Sequence, residues 1–245
     1  MTAAGLTVEE LSPDDDPAIA EFYERILLPH FRDSELVSSE DFSASLKGGE
    51  TRGLLARTAR GAIAGGAVGD IFPRSRALLL SYLAVPAEGR GMGTGSLLMK
   101  AVAEVWGGPA GPALFVLEAE DPRYYGSDDT LGDPEARVRF YERLRARTVP
   151  VPYFQPAIGP AGERVPHLLL MVFGGTEAPP GTPRLDGRAI ESFLTEYIEE
   201  SEGPVRPDDA EAQRLLAACR APGGLPLLRF RDLSASPGGR DFPGI

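Results

Sequence analysis

Three glycines in alternate positions, Gly91, Gly93 and Gly95, break the run from Leu83 to Leu98. Glycine reaches positive φ and lets another group come against the backbone, so successive N–H groups at such a turn converge on one anion where a helix starts. Arg90 adds a fixed positive charge beside them, and Thr94 and Ser96 add hydroxyl donors near the helix's positive end. Phosphate is the guest this chemistry fits. Turns of this kind also serve nucleotide triphosphates, dinucleotides and plain chain reversal. No lysine followed by serine or threonine closes the glycines, which disfavours a triphosphate loop. No acidic ribose reader follows a parallel β-α-β unit, which disfavours a dinucleotide site. His30 and His167 lack partners at ligand spacing, Cys219 is the single cysteine, and no serine sits in a nucleophile elbow. Neither a metal site nor a serine triad is therefore expected.

A turn that grips an anion needs a strand feeding it and a helix leaving it. The apolar stretch from Ala77 to Val85 predicts the strand, and the recurrence of Leu97, Leu98, Ala101, Val102, Val105 and Trp106 predicts one face of the helix, closed by Gly107-Gly108-Pro109. Upstream, Leu6 to Leu11 reads as a strand. A helix carrying Ile19, Phe22, Tyr23, Ile26 and Leu27 follows behind Asp14, Asp15, Asp16 and Pro17, then a shorter one from Ser39 to Leu46 with Ser39 as cap. Strands at Gly53 to Thr58 and Ala62 to Ile71 make an antiparallel meander with the Ala77 strand. Downstream come a strand at Ala113 to Leu117, a helix from Pro134 to Arg147, and strands near Thr148 to Phe154 and Leu168 to Phe173. The order is β, α, α, β, β, β, α, β, α, β, β. Beyond Gly174-Gly175 and Pro179-Pro180-Gly181 two apolar stripes predict helices: Ile190, Phe193, Leu194, Tyr197 and Ile198, then Ala212, Leu215, Leu216 and Cys219.

The chain has 245 residues, 42% of them hydrophobic, and a formal net charge of −11. That charge repels nucleic acid and suits a cationic partner. No apolar run is long enough for a membrane span, and no leader-like segment opens the chain, so a cytoplasmic protein without membrane or nucleic-acid partners is expected. Cys219, among leucine and alanine, reads as a core residue.

With these elements in order, the sequence resembles the GNAT (GCN5-related N-acetyltransferase) superfamily. Arg90, Gly93 and Gly95 fit its acetyl-coenzyme A motif, with Val85 at the expected offset before it, and Arg139 to Leu144 resembles its helix after the fifth strand, although Arg145 stands where glycine is frequent. The resemblance spans Leu6 to Phe173. It implies an α/β (α+β) fold with a mixed, mostly antiparallel sheet flanked by helices, a catalytic domain over 1–174, and a partly helical extension over 175–245. It implies acetyl-CoA as co-substrate, with the backbone of Leu83, Ala84 and Val85 along the pantetheine arm. The pyrophosphate would lie on the amides of Gly91, Met92, Gly93, Thr94, Gly95 and Ser96, beside Arg90. It makes Tyr141 the tyrosine that faces the coenzyme sulfur; otherwise a tyrosine on an apolar helix face is a core aromatic.

Acetyl transfer from a thioester to an amine needs a neutral amine, an oxyanion stabiliser and a proton donor for the thiolate. An amide near Ala84 or Val85, released by a bulge in the fourth strand, would polarise the carbonyl. Tyr141 would protonate the sulfur, and Glu118, then Glu120, would take the amine's proton. Residues 118, 120, 121, 128, 129, 133 and 135 are acidic against Arg123 alone, an arrangement that serves either as an electronegative mouth for a protonated amine or as a solvated loop. The expected function is N-acetyl transfer to the primary amine of a small molecule by direct attack. A noncatalytic acyl-CoA-binding regulatory module and a protein N-acetyltransferase are the alternatives, and a homodimer through the extension is compatible with each.

Overall fold

The computed structural model describes residues 2–3, 5–32, 35–86, 89, 91–127, 132–157, 162–179 and 181–235. The chain divides into two compact units: the first comprises the residues up to Ile71 with Leu78–Gly111, the second Phe72–Ala77 with the residues from Pro112 onward.

In the first unit β1 (Leu6–Glu10), β2 (Thr51–Thr58), β3 (Ile63–Phe72) and β4 (Ala77–Ala84) lie in that order, with Thr2–Ala3 pairing outside β1. β1 to β3 are antiparallel, with Val8 opposite Ala56 and Leu54 opposite Ala67. Asp15 accepts from the Ala18 N–H and Pro17 opens α1 (Asp16–Phe22), as the acidic run predicts. The helix then widens to a π-turn over Tyr23–Leu27, in which the Leu28 N–H donates to Tyr23 O at 2.9 Å. α2 (Ser39–Gly48) is capped by Ser38 rather than Ser39, because the Ser38 hydroxyl is the one that reaches the Asp41 N–H; Gly49, left-handed at φ 78°, ends it. These helices bury Ile19, Phe22, Ile26, Phe42 and Leu46 against Leu55, Val68, Tyr82 and Ala84 of the sheet. Gly66 is glycine because a Cβ there would collide with the Phe22 ring. α3 (Thr94–Val105) buries Leu97, Leu98, Ala101 and Val102; Val105, expected on the same face, is 40% exposed at the last residue of the helix. Trp106 is buried and its indole N–H donates to Glu10 at 3.2 Å.

In the second unit β5 (Leu114–Glu120) runs antiparallel to β6 (Leu168–Gly174), with Glu118 opposite Leu170 and Glu120 opposite Leu168. The expected strand from Thr148 to Phe154 is absent as one element. Arg147–Thr148 pairs with Val172 and Met171, and Phe154–Gln155 forms a separate ladder with Val165–Pro166. Pro150 and Pro152 lie between the two pieces, and each removes the N–H a ladder needs. α4 (Pro134–Arg143) stops before the expected Arg147 because Arg145 takes a left-handed φ of 72°, the conformation glycine adopts most easily.

Both stripes of the extension are helical. In α5 (Gly187–Glu202) and α6 (Ala210–Cys219) every residue named in the stripes is buried, Cys219 among them, and burial pushes its thiol up to about 12. Phe72, Phe193 and Tyr197 form an aromatic cluster with Phe72–Phe193 ring centroids 5.2 Å apart. Glu196, 2% exposed, sits on the same buried face and accepts from the backbone N–H of Arg74 and Ser75 at 2.8 and 2.6 Å. Arg164 holds the Phe154 hairpin to the α5–α6 connection, donating to Glu202, Asp209 and Glu211 while its guanidinium lies 4.3 Å from the Phe154 ring centre. Among the described residues no helix is long and apolar enough to cross a membrane.

Candidate functional site

In the first unit β4 ends at buried Ala84, after half-buried Leu83; Val85 and Pro86 leave the strand half-buried, and the Gly89 N–H closes a turn onto Pro86 O at 2.9 Å. Arg90 lies outside the described residues. Gly91, Met92 and Gly93 are exposed, and both glycines are left-handed, at φ 78° and 82°. Nothing stands within 4 Å of where a side chain on either would begin, so the backbone conformation and not crowding requires glycine. Gly93 is the residue from which α3 starts, without a side-chain cap and without an acidic residue in the first turn. Leu97 is the first residue to donate back to Gly93 O, at 3.0 Å. The N–H groups of Thr94, Gly95 and Ser96 thus belong to the set for which a helix has no internal acceptor, at its positive end. The Thr94 hydroxyl, expected to face the anion, instead reaches toward Gly89 O at 3.4 Å with the side chain buried; what Thr94 offers an anion is its N–H. Ser96 is exposed and keeps its hydroxyl at the surface.

In the second unit Tyr141 projects from the buried face of α4 with Val138 and is 7% exposed. Burial raises its pKa, against an opposing pull from Arg137, so the phenol is neutral and protonated at physiological pH. Glu118, half-buried on β5, accepts from the Tyr153 hydroxyl and from Gln155 Nε2 at 2.9 Å. Burial, then the neighbouring Glu118 charge, holds the Tyr153 pKa well above that of an ordinary phenol, so Tyr153 is a fixed donor. Glu120 is buried and paired with Arg137 at 3.1 Å, which ties α4 to β5.

Among the described residues, most acids of the stretch are engaged within the protein. Of its members, Asp128 and Asp129 lie outside the described residues. Asp121 is buried in a bidentate pair with Arg123, Asp133 caps α4 through the Glu135 N–H at 2.9 Å, and Glu135 pairs with Arg139 at 2.6 Å. Arginines just beyond the stretch, at 137 and 139, supply the neutralising charge that a count confined to residues 118–135 leaves out.

The architecture compares with solved structures of acetyltransferases. One from Bacteroides thetaiotaomicron, assigned to the GNAT family, is 19% identical and superposes with a TM-score of 0.54, covering 70% of this chain and 89% of its own. The chain has the GNAT fold. Two others align more loosely. The ribosomal-protein-S18-alanine N-acetyltransferase of Escherichia coli is 18% identical over 72% of this chain and 98% of its own, with a TM-score of 0.47. A spermidine N-acetyltransferase variant from Vibrio cholerae is 14% identical over 69% and 94%, with a TM-score of 0.46. No protein-family model and no curated protein matches the sequence.

Within this GNAT fold, three side chains that sequence reading passed over hold the two candidate acids: Tyr153 and Gln155 on Glu118, and Arg137 on Glu120. Arg137 was reachable from sequence, since it lies four residues before Tyr141 and therefore on the same helix face. Tyr153 and Gln155 were hidden by reading the segment around the two prolines as continuous strand.

Proposed function

We propose that the protein transfers the acetyl group of acetyl-CoA to an amine, with residues 1–174 carrying the reaction and 175–245 forming an extension. The observation that carries this reading is the uncapped start of α3 behind two left-handed glycines, directly after β4 of a GNAT fold. Backbone N–H groups from Gly91 to Ser96 receive the pyrophosphate, with Arg90 adding charge, and Leu83, Ala84 and Val85 lie along the pantetheine arm. The amine nitrogen attacks the thioester carbonyl carbon, a C–N bond forms, and the oxygen takes up negative charge against a backbone N–H near Ala84 or Val85. On collapse the C–S bond breaks and the sulfur takes the Tyr141 proton. The proton lost by nitrogen passes to a carboxylate, Glu118 before Glu120, because Glu120 already neutralises Arg137.

The acceptor in this reading is the primary amine of a small molecule, and the net charge of −11 favours a cationic one. A buried Tyr141 whose phenol stays protonated supports chemistry over a purely regulatory acyl-CoA module. Acetyl-CoA is expected to raise the melting temperature, since a ligand at a hundred times its Kd stabilises the native state by about 2.7 kcal/mol. Coenzyme A release is then followed across a panel of polyamines, amino acid derivatives and aminoglycosides. A flat melting curve at saturating acetyl-CoA would remove the coenzyme assignment; a thermal shift with no release from any amine or peptide would leave binding without transfer.

A further inference from the structure

The second unit contains a cavity of about 280 Å³ that is lined by none of the coenzyme residues and by none of Tyr141, Glu118 and Glu120, although Tyr153, which donates to Glu118, forms part of its wall. Its walls are residues 148–154, the β6 entry from Pro166 to Leu169, Asp121 to Tyr124, and Ala210, Glu211 and Arg214 of α6, with Leu233 closing one side. Val149, Val151, Tyr153, Phe154 and Leu169 are all buried there, so the interior is apolar. At the mouth Tyr124, 48% exposed, stacks on the His167 ring with centroids 4.0 Å apart and planes within 12°. His167 holds a left-handed φ of 62°, unusual for a residue with a side chain, and its carbonyl accepts from the Asp121 N–H at 3.1 Å. The charges on the walls are largely spent within the protein: Asp121 on Arg123, and Glu211 on Arg164. One polar group is not. Thr148 is 1% exposed, and its Oγ1 is the buried side-chain oxygen without a hydrogen-bond partner among the described residues.

We infer that this cavity is a binding site for a small, electrically neutral molecule with a flat ring and one hydroxyl or carbonyl group. An apolar cavity of about 150 Å³ admits one benzene ring, so the volume here suits a substituted ring or two fused rings. The aromatic walls and the stacked pair at the mouth favour a flat π-face over a branched aliphatic body. Asp121, Arg123 and Glu211 in the described walls already meet opposite charges within the protein, which makes burial of an ion there costly. The orphan hydroxyl of Thr148 supplies a hydrogen bond for a polar substituent. The inference does not rest on the proposed acetyl transfer.

The test uses the full chain and 2-naphthol, followed by titration calorimetry. Saturable one-to-one binding is expected, tighter than that of 2-naphthoate and of cyclohexanol. Ala210→Trp places a large ring at an exposed wall position and should weaken 2-naphthol at least about tenfold by filling the space, while acetyl-CoA still shifts the melting temperature as in the parent, so loss of ring binding is read apart from loss of coenzyme binding. Thr148→Val should weaken 2-naphthol about fivefold, the effect of one hydrogen bond, without lowering the melting temperature of the free protein, because the oxygen it removes is unpaired. Absence of saturable binding, tighter binding of 2-naphthoate, or unchanged affinity in both variants would overturn the assignment.

Discussion

Gly93→Val separates the two demands the structure places on the helix start. The residue sits at φ 82° with nothing within 4 Å of a Cβ position, so the free protein meets backbone strain rather than a clash. A left-handed residue with a side chain costs about 1–2 kcal/mol, and about 2–4 °C of melting temperature accompanies each kcal/mol at this chain length. The variant should therefore melt roughly 2–8 °C lower. Its effect on acetyl-CoA is larger. A branched side chain would enter the open space beside Gly93, where the proposed phosphate approaches the N–H groups of the helix start, and excluding a phosphate from two of them forfeits about 1.5–3 kcal/mol for each charge-assisted bond. That raises the Kd by at least about a hundredfold. Melting curves with and without acetyl-CoA measure both quantities on one sample. Gly93→Asn is the control: asparagine tolerates the left-handed region, so it keeps the free protein near its parent stability while still covering the amides. If both variants kept the full coenzyme-induced shift, the helix start would not be the anion site.

Tyr141→Phe retains the buried ring and removes only the proton donor, so turnover should fall about a hundredfold or more with acetyl-CoA affinity unchanged; equal turnover would take Tyr141 out of the acid role. Arg164→Met removes the cation shared by Glu202, Asp209 and Glu211. Arg164 holds Asp209 at about 2, and Glu202 is lowered too, its burial outweighed by the bonds from Arg164 and the Ala157 N–H. Depressed carboxylates contribute stability above their unfolded pKa, near pH 4, and lose it as pH falls toward 2. The groups are partly solvated, so removing the arginine should cost about 1–3 kcal/mol at pH 7 and flatten the acid limb between pH 4 and 2. A melting temperature that matched the parent at pH 7, or an acid limb of the same slope, would show that the cluster is a surface decoration.

What periodicity could report, it reported. Ile190, Phe193, Leu194, Tyr197 and Ile198 recur at helical spacing and are buried together, because one apolar stripe must meet a core. The errors fall where a non-local partner or a backbone conformation decides. No sequence pattern marks Glu196, which is buried and accepts from a turn more than a hundred residues earlier in the chain. Pro150 and Pro152 carried a local warning that a run of valine and aromatic residues masked. Arg145 shows the converse: its side chain gives no sign of a left-handed turn, and only the want of a glycine at the end of α4 marked the place.

The site divides along the same line. Left-handed glycines announce themselves by residue type, so the turn before α3 was legible, whereas the surroundings of a carboxylate depend on what folds onto it. Glu118 and Glu120 are two residues apart on one strand and therefore share a face, and sequence offers little to rank them. Their neighbours do. Arg137 meets Glu120 with a full positive charge at 3.1 Å. Tyr153 and Gln155 meet Glu118 as neutral donors, which fix its orientation without cancelling its charge. The proposal of Glu118 before Glu120 rests on this difference between neutral donors and an arginine, in the segment around Pro150 and Pro152 that does not form one continuous strand.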